Sequence, residues 1–441
     1  MRTPFFLLFL SLFNCAGARL RPEVMAEPLS LPLHLVRTSG APIAEPAGEL
    51  DLPTALALTL QHHPQLQGAA DLDRLRAARI RAARVAPNPT LEFTAEAFLG
   101  SGPFRGVGGS QWTLTVSQLV ELGGKPEARA ALAGAQHGVE AAQLRLTRLA
   151  VLSTVALDFA RLVHLQERRS NLEAQLENAV GLEQAIAARV EAGKDSALQL
   201  RQYQIQLSLS RFDLQELDRA IAAARARLAS HWGAREPRFR VAVGRFSVPR
   251  SLPAPGELRE RLSRHPELQV RQAQIAQLRA ERELERRLGT PDVELTLGVR
   301  LVAEDRNAAM VGGLSLPLPV WDRRREAVDA LDAQVRVAER DAASQAFLLG
   351  QQVERLLAEF ERTRAELLLL EETVLPEVET NLGLFREGFA MGRFTILEML
   401  ETQRSRFELR ERILTARLAL QTAVLELELL TGVRLESGGA K

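Results

Sequence analysis

The sequence predicts a mainly α-helical chain that also contributes four strands to a membrane β-barrel. Three observations support this fold class. Two stretches of roughly 65 residues have the heptad spacing of continuous helices, a unit containing one strand hairpin occurs twice, and the strands alternate apolar and polar residues. At ~1.5 Å per residue such a helix is roughly 100 Å long, so a compact domain cannot contain it.

The composition excludes several classes of protein. The 441 residues are 46% hydrophobic and 25% charged, and the formal net charge of +1 does not favour nucleic acid. The single cysteine, Cys15, permits neither an internal disulfide nor a cysteine-based metal site. No HExxH pattern occurs among the seven histidines, and no nucleophile–base pair stands out. We therefore expect no enzyme activity, no cofactor and no bound metal.

The first 18 residues have the pattern of an export signal. Arg2 supplies the positive charge, residues 5–13 form a short apolar run, and Ala16-Gly17-Ala18 is a small-x-small cleavage site. Cleavage after this site removes Cys15, whereas cleavage before Cys15 would leave it as a lipidation site. Both routes carry the chain out of the cytoplasm. Residues 19–49, rich in Pro and Leu, are expected to form an extended arm.

An internal repeat organises the rest of the chain. The segment His63-Pro64-Gln65-Leu66-Gln67 recurs as His265-Pro266-Glu267-Leu268-Gln269, a shift of 265 − 63 = 202 residues. Further along, Gly193 matches Gly392 at a shift of 199. The sequence therefore predicts two repeats at 50–235 and 256–432, with a linker at 236–255 and a C-terminal tail at 433–441.

Each repeat predicts the same succession of elements. A first helix (52–86 or 256–288), with its His-Pro in the first turns, leads to a hairpin (89–118 or 291–319). A long helix (125–190 or 323–389) follows, then a tight turn and a return helix. The heptads Leu165, Leu172, Ala179, Ile186 and Leu400, Phe407, Leu414 predict seams between helices. Pro376 should interrupt the second long helix.

The four strands have one apolar and one polar face, and their nine or ten residues suit a tilted membrane strand. Because open strand edges are not tolerated in lipid, several copies should close a barrel, and three copies would supply twelve strands. Glu92, Glu96, Glu294 and Arg300 occupy polar positions and are expected to face the barrel lumen.

Three segments carry a resemblance to a known family. They are VSQLVELGGK at 116–125, its second-half counterpart LSLPLPVWDR at 314–323, and GFAMGRFTILEMLETQR at 388–404. Together they resemble the strand-to-helix junctions and the second turn of the TolC-type outer-membrane efflux proteins. The first segment is similar to that of the CzcC-like, heavy-metal branch. The resemblance covers roughly residues 50 to 432.

The resemblance implies a homotrimer with a 12-stranded barrel in the outer membrane of a Gram-negative bacterium and an α-helical tunnel in the periplasm. It implies passive export of heavy-metal cations or drugs, with a periplasmic adaptor (membrane fusion) protein and an inner-membrane RND-type pump as partners. Glu398 and Glu401 would ring the tunnel entrance as a gate. The adaptor would dock at the turns, on Val190, Gly193, Lys194, Asp195, Ser196, Gly392, Arg393, Phe394 and Thr395.

A periplasmic coiled-coil adaptor or scaffold is the alternative function. The hairpins separate the two hypotheses, because an adaptor needs no pair of amphipathic strands before each long helix. Adaptors also carry a lipoyl-like or barrel domain, for which the sequence offers no candidate segment.

Overall fold

The computed structural model describes residues 44–193, 195–244, 252–391, 393–394 and 396–432. The first half contains β1 (Glu49–Leu50), α1 (Leu52–His62), α2 (Ala69–Ala83), β2 (Thr90–Glu96), β3 (Gln111–Val120), α3 (Lys125–Glu191) and α4 (Ala197–Ser230). The second contains β4 (Val241–Ala242), α5 (Pro255–Leu262), α6 (Pro266–Leu288), β5 (Val293–Val302), β6 (Asn307–Ser315), α7 (Arg325–Leu368), α8 (Leu375–Ala390) and α9 (Ile396–Thr431). Both predicted hairpins and both long helices are confirmed.

The first helix of each half differs from the prediction. We expected one continuous helix at 52–86 and another at 256–288, but each is broken at its His-Pro pair. Proline has no N–H and its ring opposes a preceding helical turn, so it begins a helical segment rather than continuing one. Nδ1 of His265 accepts a hydrogen bond from the Glu267 N–H (3.3 Å), and His63 caps the turn Pro64–Leu66 in the same way.

The two hairpins join into one antiparallel sheet with the order β2-β3-β5-β6. The central pairing unites the halves, with Thr113 opposite Arg300 and Val116 opposite Leu297. Helices α2 and α6 lead into β2 and β5, while β3 and β6 lead into α3 and α7, so all four helix connections lie at one end of the sheet. Strands β2 and β6 are its two edges.

The helices pack side by side in layers rather than in a compact bundle. Near the sheet the packing order is α2-α3-α6-α7, and farther away it is α4-α3-α9 followed by α7 and α8. Helix α3, with 67 residues, is roughly 100 Å long and runs through both layers. Its predicted seam is confirmed, because Leu172 and Leu176 pack against Leu207 and Leu217 of α4, with Leu165, Ala179 and Phe407 beside them.

The second long helix is interrupted where expected. Residues Leu369–Val374 form a π-helical turn between α7 and α8, and Pro376 is the second residue of α8. Since Pro376 cannot donate a backbone hydrogen bond and its ring crowds the preceding turn, the widened turn accommodates it.

A small parallel sheet lies beside the first-half core. Strand β1 pairs with β4, and the Glu45 carboxylate accepts hydrogen bonds from Trp232 Nε1 (3.1 Å) and from the Arg238 N–H (2.6 Å). Trp232, Phe239 and Leu50 are buried there against α1 and α3. Within the described ranges, no helix is both long and apolar enough to cross a bilayer.

Candidate functional site

One face of the four-stranded sheet is apolar and exposed. It carries Leu91 and Phe93 of β2, Leu114 of β3, Leu297 of β5 and Met310 of β6, with exposed fractions of 49% to 79%. A continuous apolar surface of this kind needs a covering of lipid or protein.

The opposite face is polar and brings together the four predicted lumen residues. Glu92 and Glu96 of β2 share this face with Glu294 and Arg300 of β5, according to the strand register. Arg300 Nε donates to Thr113 Oγ1 (3.0 Å), and its Nη2 lies 4.0 Å from Glu96 Oε2. The structure therefore places all four on the side opposite the apolar surface.

The junction between the sheet and α3 is held by buried polar contacts. Lys125, at the first position of α3, forms an ion pair with Asp292, with Nζ and Oδ1 2.6 Å apart. The same Asp292 oxygen accepts the Leu122 N–H (3.0 Å). The Lys125 side chain is 5% exposed and that of Asp292 20%, so these contacts fix α3 against the start of β5.

The glycines of the same junction have a conformational role. Gly123 and Gly124 both have positive φ, 74° and 72°, which favours glycine. A Cβ on Gly123 would also lie 2.9 Å from the Thr290 side chain. Beside them, a hydrogen bond from Arg129 lowers the pKa of the Glu121 carboxyl. The two glycines and the lysine of the segment 116–125 therefore form the junction between the sheet and α3.

The first helical turn closes α3 on α4. Gly193 has φ 67°, and its N–H donates to the Val190 carbonyl (3.0 Å). Asp195 is paired with Arg189, and this hydrogen bond raises the pKa of the arginine. Ser196 caps α4 by accepting the Leu198 N–H (3.2 Å) in a capping box completed by Gln199. Lys194 lies outside the described residues.

The second turn is closed by an aromatic contact. Phe394 packs on Phe385, with ring centroids 4.5 Å apart, and the Arg393 N–H donates to the Gly388 carbonyl (2.8 Å). A Cβ on Gly388 would lie 2.4 Å from the Phe394 ring, so a larger residue there would displace that ring. Gly392 and Thr395 lie outside the described residues.

A small apolar cluster holds the two turns side by side. Ile186 of α3 and Tyr203 of α4 pack against Leu382 of α8 and Met399 of α9, with Val190 beside them. The Tyr203 hydroxyl donates to the Ala179 carbonyl (3.0 Å), and burial, together with the charge of Glu183, raises its pKa to about 12. The turns of both halves therefore form one tip.

The predicted gate residues lie on the first turns of α9, at this tip. Glu398 and Glu401 are exposed and, three residues apart, share one helix face, while Met399 is buried in the cluster. Sequence reasoning missed Gly388, Phe385 and the Lys125–Asp292 pair. The Gly123-Gly124-Lys125 sequence was the one feature that could have pointed to the Lys125–Asp292 pair. Cys15 lies outside the described residues.

A sheet with one bare apolar face and one polar face, continued by long helices of which α3 reaches roughly 100 Å, defines a subunit that spans a membrane by strands and projects a helical wall from it. The chain matches the family described as outer membrane efflux protein over residues 55–234 and 258–433, and it belongs to that family. The family is one of transport channels.

Curated relatives agree with this membership. The chain is 29% identical over 381 residues to the cobalt-zinc-cadmium resistance protein CzcC of Cupriavidus metallidurans, covering 86% of this chain and 89% of that protein. It is 26% identical over 319 residues to the nickel and cobalt resistance protein CnrC of the same organism, covering 72% of each.

Solved structures have the same fold. A membrane protein from Pseudomonas aeruginosa superposes with a TM-score of 0.70 at 20% identity, covering 89% of this chain and 97% of that chain. CusC gives a TM-score of 0.69 at 16% identity, covering 86% and 91% of the two chains. The chain is thus an efflux channel subunit of the outer membrane of a Gram-negative bacterium, with a large periplasmic portion.

Proposed function

We propose that three copies of this chain close into one continuous channel that exports heavy-metal cations. The proposal rests on which strands and helices lie at the two sides of the sheet and of the helical layers. The sheet has β2 at one edge and β6 at the other, and the helical layers have α2 or α4 at one side and α7 or α8 at the other. Every layer therefore ends in a first-half element on one side and a second-half element on the other, which suits head-to-tail closure.

Exposed apolar residues on the outer helices support this closure. On α4, Ile205, Leu209 and Phe212 recur at helical spacing and are more than half exposed, and α7 exposes Phe347 and Leu348. Such stripes pack against a neighbouring helix. Strands β2 and β6 run in opposite directions, so β6 of one copy can pair antiparallel with β2 of the next, and three chains give twelve strands.

The charge of the polar sheet face supports a cationic substrate. Along the ladders this face carries three carboxylates, Glu92, Glu96 and Glu294, against one guanidinium, Arg300, a net charge of −3 + 1 = −2 per chain. Carboxylate rings in a narrow pore favour cations over anions. The names of the relatives point the same way, since they are resistance proteins for cobalt, zinc, cadmium and nickel.

The pore charge can be tested by ion selectivity in planar bilayers. Glu92→Gln and Glu294→Gln together should move the reversal potential in a KCl gradient toward the unselective value. Arg300→Gln, a matched change on the same face, should move it in the opposite direction. A reversal potential that none of these substitutions shifts would remove the lumen assignment.

The substrate is tested in a deletion strain. Restoring the gene should raise tolerance to Co²⁺, Zn²⁺ or Cd²⁺, and a copy carrying Glu92→Gln and Glu294→Gln should restore less. Metal tolerance unchanged by the deletion, together with lost resistance to an organic drug, would reject the metal substrate and leave the channel standing.

At the tip, the proposal assigns Glu398 and Glu401 to the entrance and the turn residues to adaptor docking. Three copies of this acidic pair around a threefold mouth would attract cations and repel one another. An adaptor protein and an RND-type inner-membrane pump would supply the substrate and the energy. Co-purification of adaptor and pump should fail when exposed tip residues such as Arg393 are changed, while the channel still assembles.

A further inference from the structure

The apolar face of β6 continues beyond the hydrogen-bonded ladder. Within the strand, Met310 and Leu314 lie on this face and are 79% and 71% exposed. The ladder ends at Ser315, yet Leu316, Leu318 and Val320 keep the same two-residue spacing and remain exposed. Trp321 follows at 94% exposure, the highest among the large apolar side chains of the described residues.

A cluster of arginines follows this apolar segment directly. Arg323, Arg324 and Arg325 are all exposed. Arg324 has two carboxylate partners, Glu285 (3.2 Å) and Asp322 (3.7 Å). Arg323 donates only to the Pro319 carbonyl, and neither Arg323 nor Arg325 forms an ion pair with any residue that the structure describes.

The position of this segment along the molecule is defined. It lies at the end of the sheet where all four helix connections occur, between the apolar sheet face and the helical wall. If the apolar face is in lipid, this end is at the boundary between hydrocarbon and headgroups on the periplasmic side. Tryptophan prefers that boundary because its ring is apolar and its N–H needs a polar partner. Arginine places its stem in the apolar region and its guanidinium among phosphates.

We propose that residues 316–325 form a lipid-binding segment, in which Trp321 lies among the headgroups of the periplasmic leaflet and Arg323 and Arg325 bind anionic phospholipid headgroups. The proposal rests on the proposed membrane orientation of the sheet.

The first half lacks an equivalent segment, so the exposed tryptophan and arginines are not a general requirement of a strand-to-helix junction in this fold. Gly123 occupies the position corresponding to Trp321, and Lys125 that corresponding to Arg323. Lys125 is buried in its pair with Asp292, so it is not available to lipid. One lipid-binding segment per chain, rather than two, is therefore expected.

A second copy of the chain is a less suitable occupant. In the proposed ring, the neighbour of α7 is α2 of the next chain. The end of α2 near the sheet carries Arg81 and the capping Arg84, besides Arg79, which is paired with Glu140 (2.6 Å). Placing the arginines that follow Trp321 against this basic end would bring like charges together. Anionic headgroups have the opposite charge.

The three tryptophans provide the test, because they lie at three levels of the chain. Trp112 is on the apolar sheet face, Trp232 is buried in the first-half core, and Trp321 is in the segment. The full-length protein is reconstituted in vesicles of phosphatidylethanolamine and phosphatidylglycerol. Fluorescence quenching is measured with lipids brominated near the headgroup or deep in the chain. The Trp321 signal is the difference between the natural chain and Trp321→Phe, which leaves Trp112 and Trp232 in place.

We expect the Trp321 signal to be quenched more by headgroup-proximal bromine than by deep bromine. Brominated phosphatidylglycerol should be more effective than brominated phosphatidylcholine. Arg323→Gln with Arg325→Gln should abolish that preference for phosphatidylglycerol, while shallow quenching persists.

Two other results would overturn the proposal. Quenching of Trp321 by aqueous iodide alone would place it in water, and quenching by neither lipid nor iodide would place it in a protein interface. The Trp112 signal, isolated in the same way with Trp112→Phe, separates this failure from failure of the proposed membrane orientation. If Trp112 is quenched by brominated lipid and Trp321 by no lipid, only the lipid-binding segment is wrong.

Discussion

Replacing Lys125 by methionine removes the cation of the buried pair at the sheet–helix junction. The Asp292 carboxylate would then remain mostly buried, with the Leu122 N–H as its remaining partner at Oδ1. Removing one member of a fully buried pair costs about 3–5 kcal/mol of unfolding free energy. Because Asp292 is one-fifth exposed and keeps that hydrogen bond, we expect about 2–3 kcal/mol for Lys125→Met.

A double-mutant cycle isolates the interaction. Adding Asp292→Asn to Lys125→Met removes the stranded charge but keeps an oxygen for the Leu122 N–H, so the double variant should be more stable than Lys125→Met alone. The coupling between the two positions should exceed about 1 kcal/mol. The control is Arg74→Ala, which breaks an exposed pair with Asp71 and should cost less than about 0.5 kcal/mol.

The assay is guanidinium unfolding of the detergent-solubilised protein, followed by far-ultraviolet circular dichroism. If the double variant is no more stable than Lys125→Met and the two effects add to within about 0.5 kcal/mol, Lys125 and Asp292 do not stabilise each other. The junction would then depend on its glycines and not on the ion pair.

Three further predictions concern other sites. Burial lowers the pKa of His265 to about 4, so the unfolded chain binds a proton first as the pH falls below ~6.5. The free energy of unfolding should therefore decrease between pH 6.5 and 4, by up to about 3 kcal/mol. His265→Asn keeps a helix cap but does not titrate in this range, so its unfolding midpoints at pH 7 and pH 4.5 should differ less than those of the natural chain. Gly388→Ala should loosen the second turn because its Cβ meets the Phe394 ring, so limited proteolysis should cleave the tip faster; equal cleavage of Gly388→Ala and the natural chain would contradict this. Glu398→Gln with Glu401→Gln should lower the cation conductance in planar bilayers, because the mouth would attract cations less, whereas unchanged traces would place both residues outside the gate.

The local patterns in the sequence were sufficient for most elements. The two-residue alternation at Leu91, Glu92 and Phe93 predicted β2, and the heptads of α3 predicted its seam, because each signal lies within a few turns of chain. The effect of Pro376 was predictable for the same reason, since a missing N–H acts on its own helix.

Longer-range features were not predictable in this way. The strand order β2-β3-β5-β6 and the pairing of Lys125 with Asp292 join residues from different halves, and nothing in either local segment specifies the partner. The helix breaks at His63 and His265 were missed because a proline near a helix start is compatible with two assignments. The histidine caps decide between them.

Disulfide trapping between the two sheet edges would show whether three chains close into a ring. Strands β2 and β6 are separated by β3 and β5, so their backbones lie about 14 Å apart within one chain, too far for an internal disulfide. The only natural cysteine, Cys15, lies in the predicted export signal. Phe93→Cys is combined in turn with Ala308→Cys, Met310→Cys and Leu314→Cys, and oxidised membranes are run on denaturing gels. If three chains close into a ring, at least one pair should give a ladder of monomer, dimer and trimer that ends at the trimer. Monomer alone for every pair, or a ladder extending beyond the trimer, would contradict it.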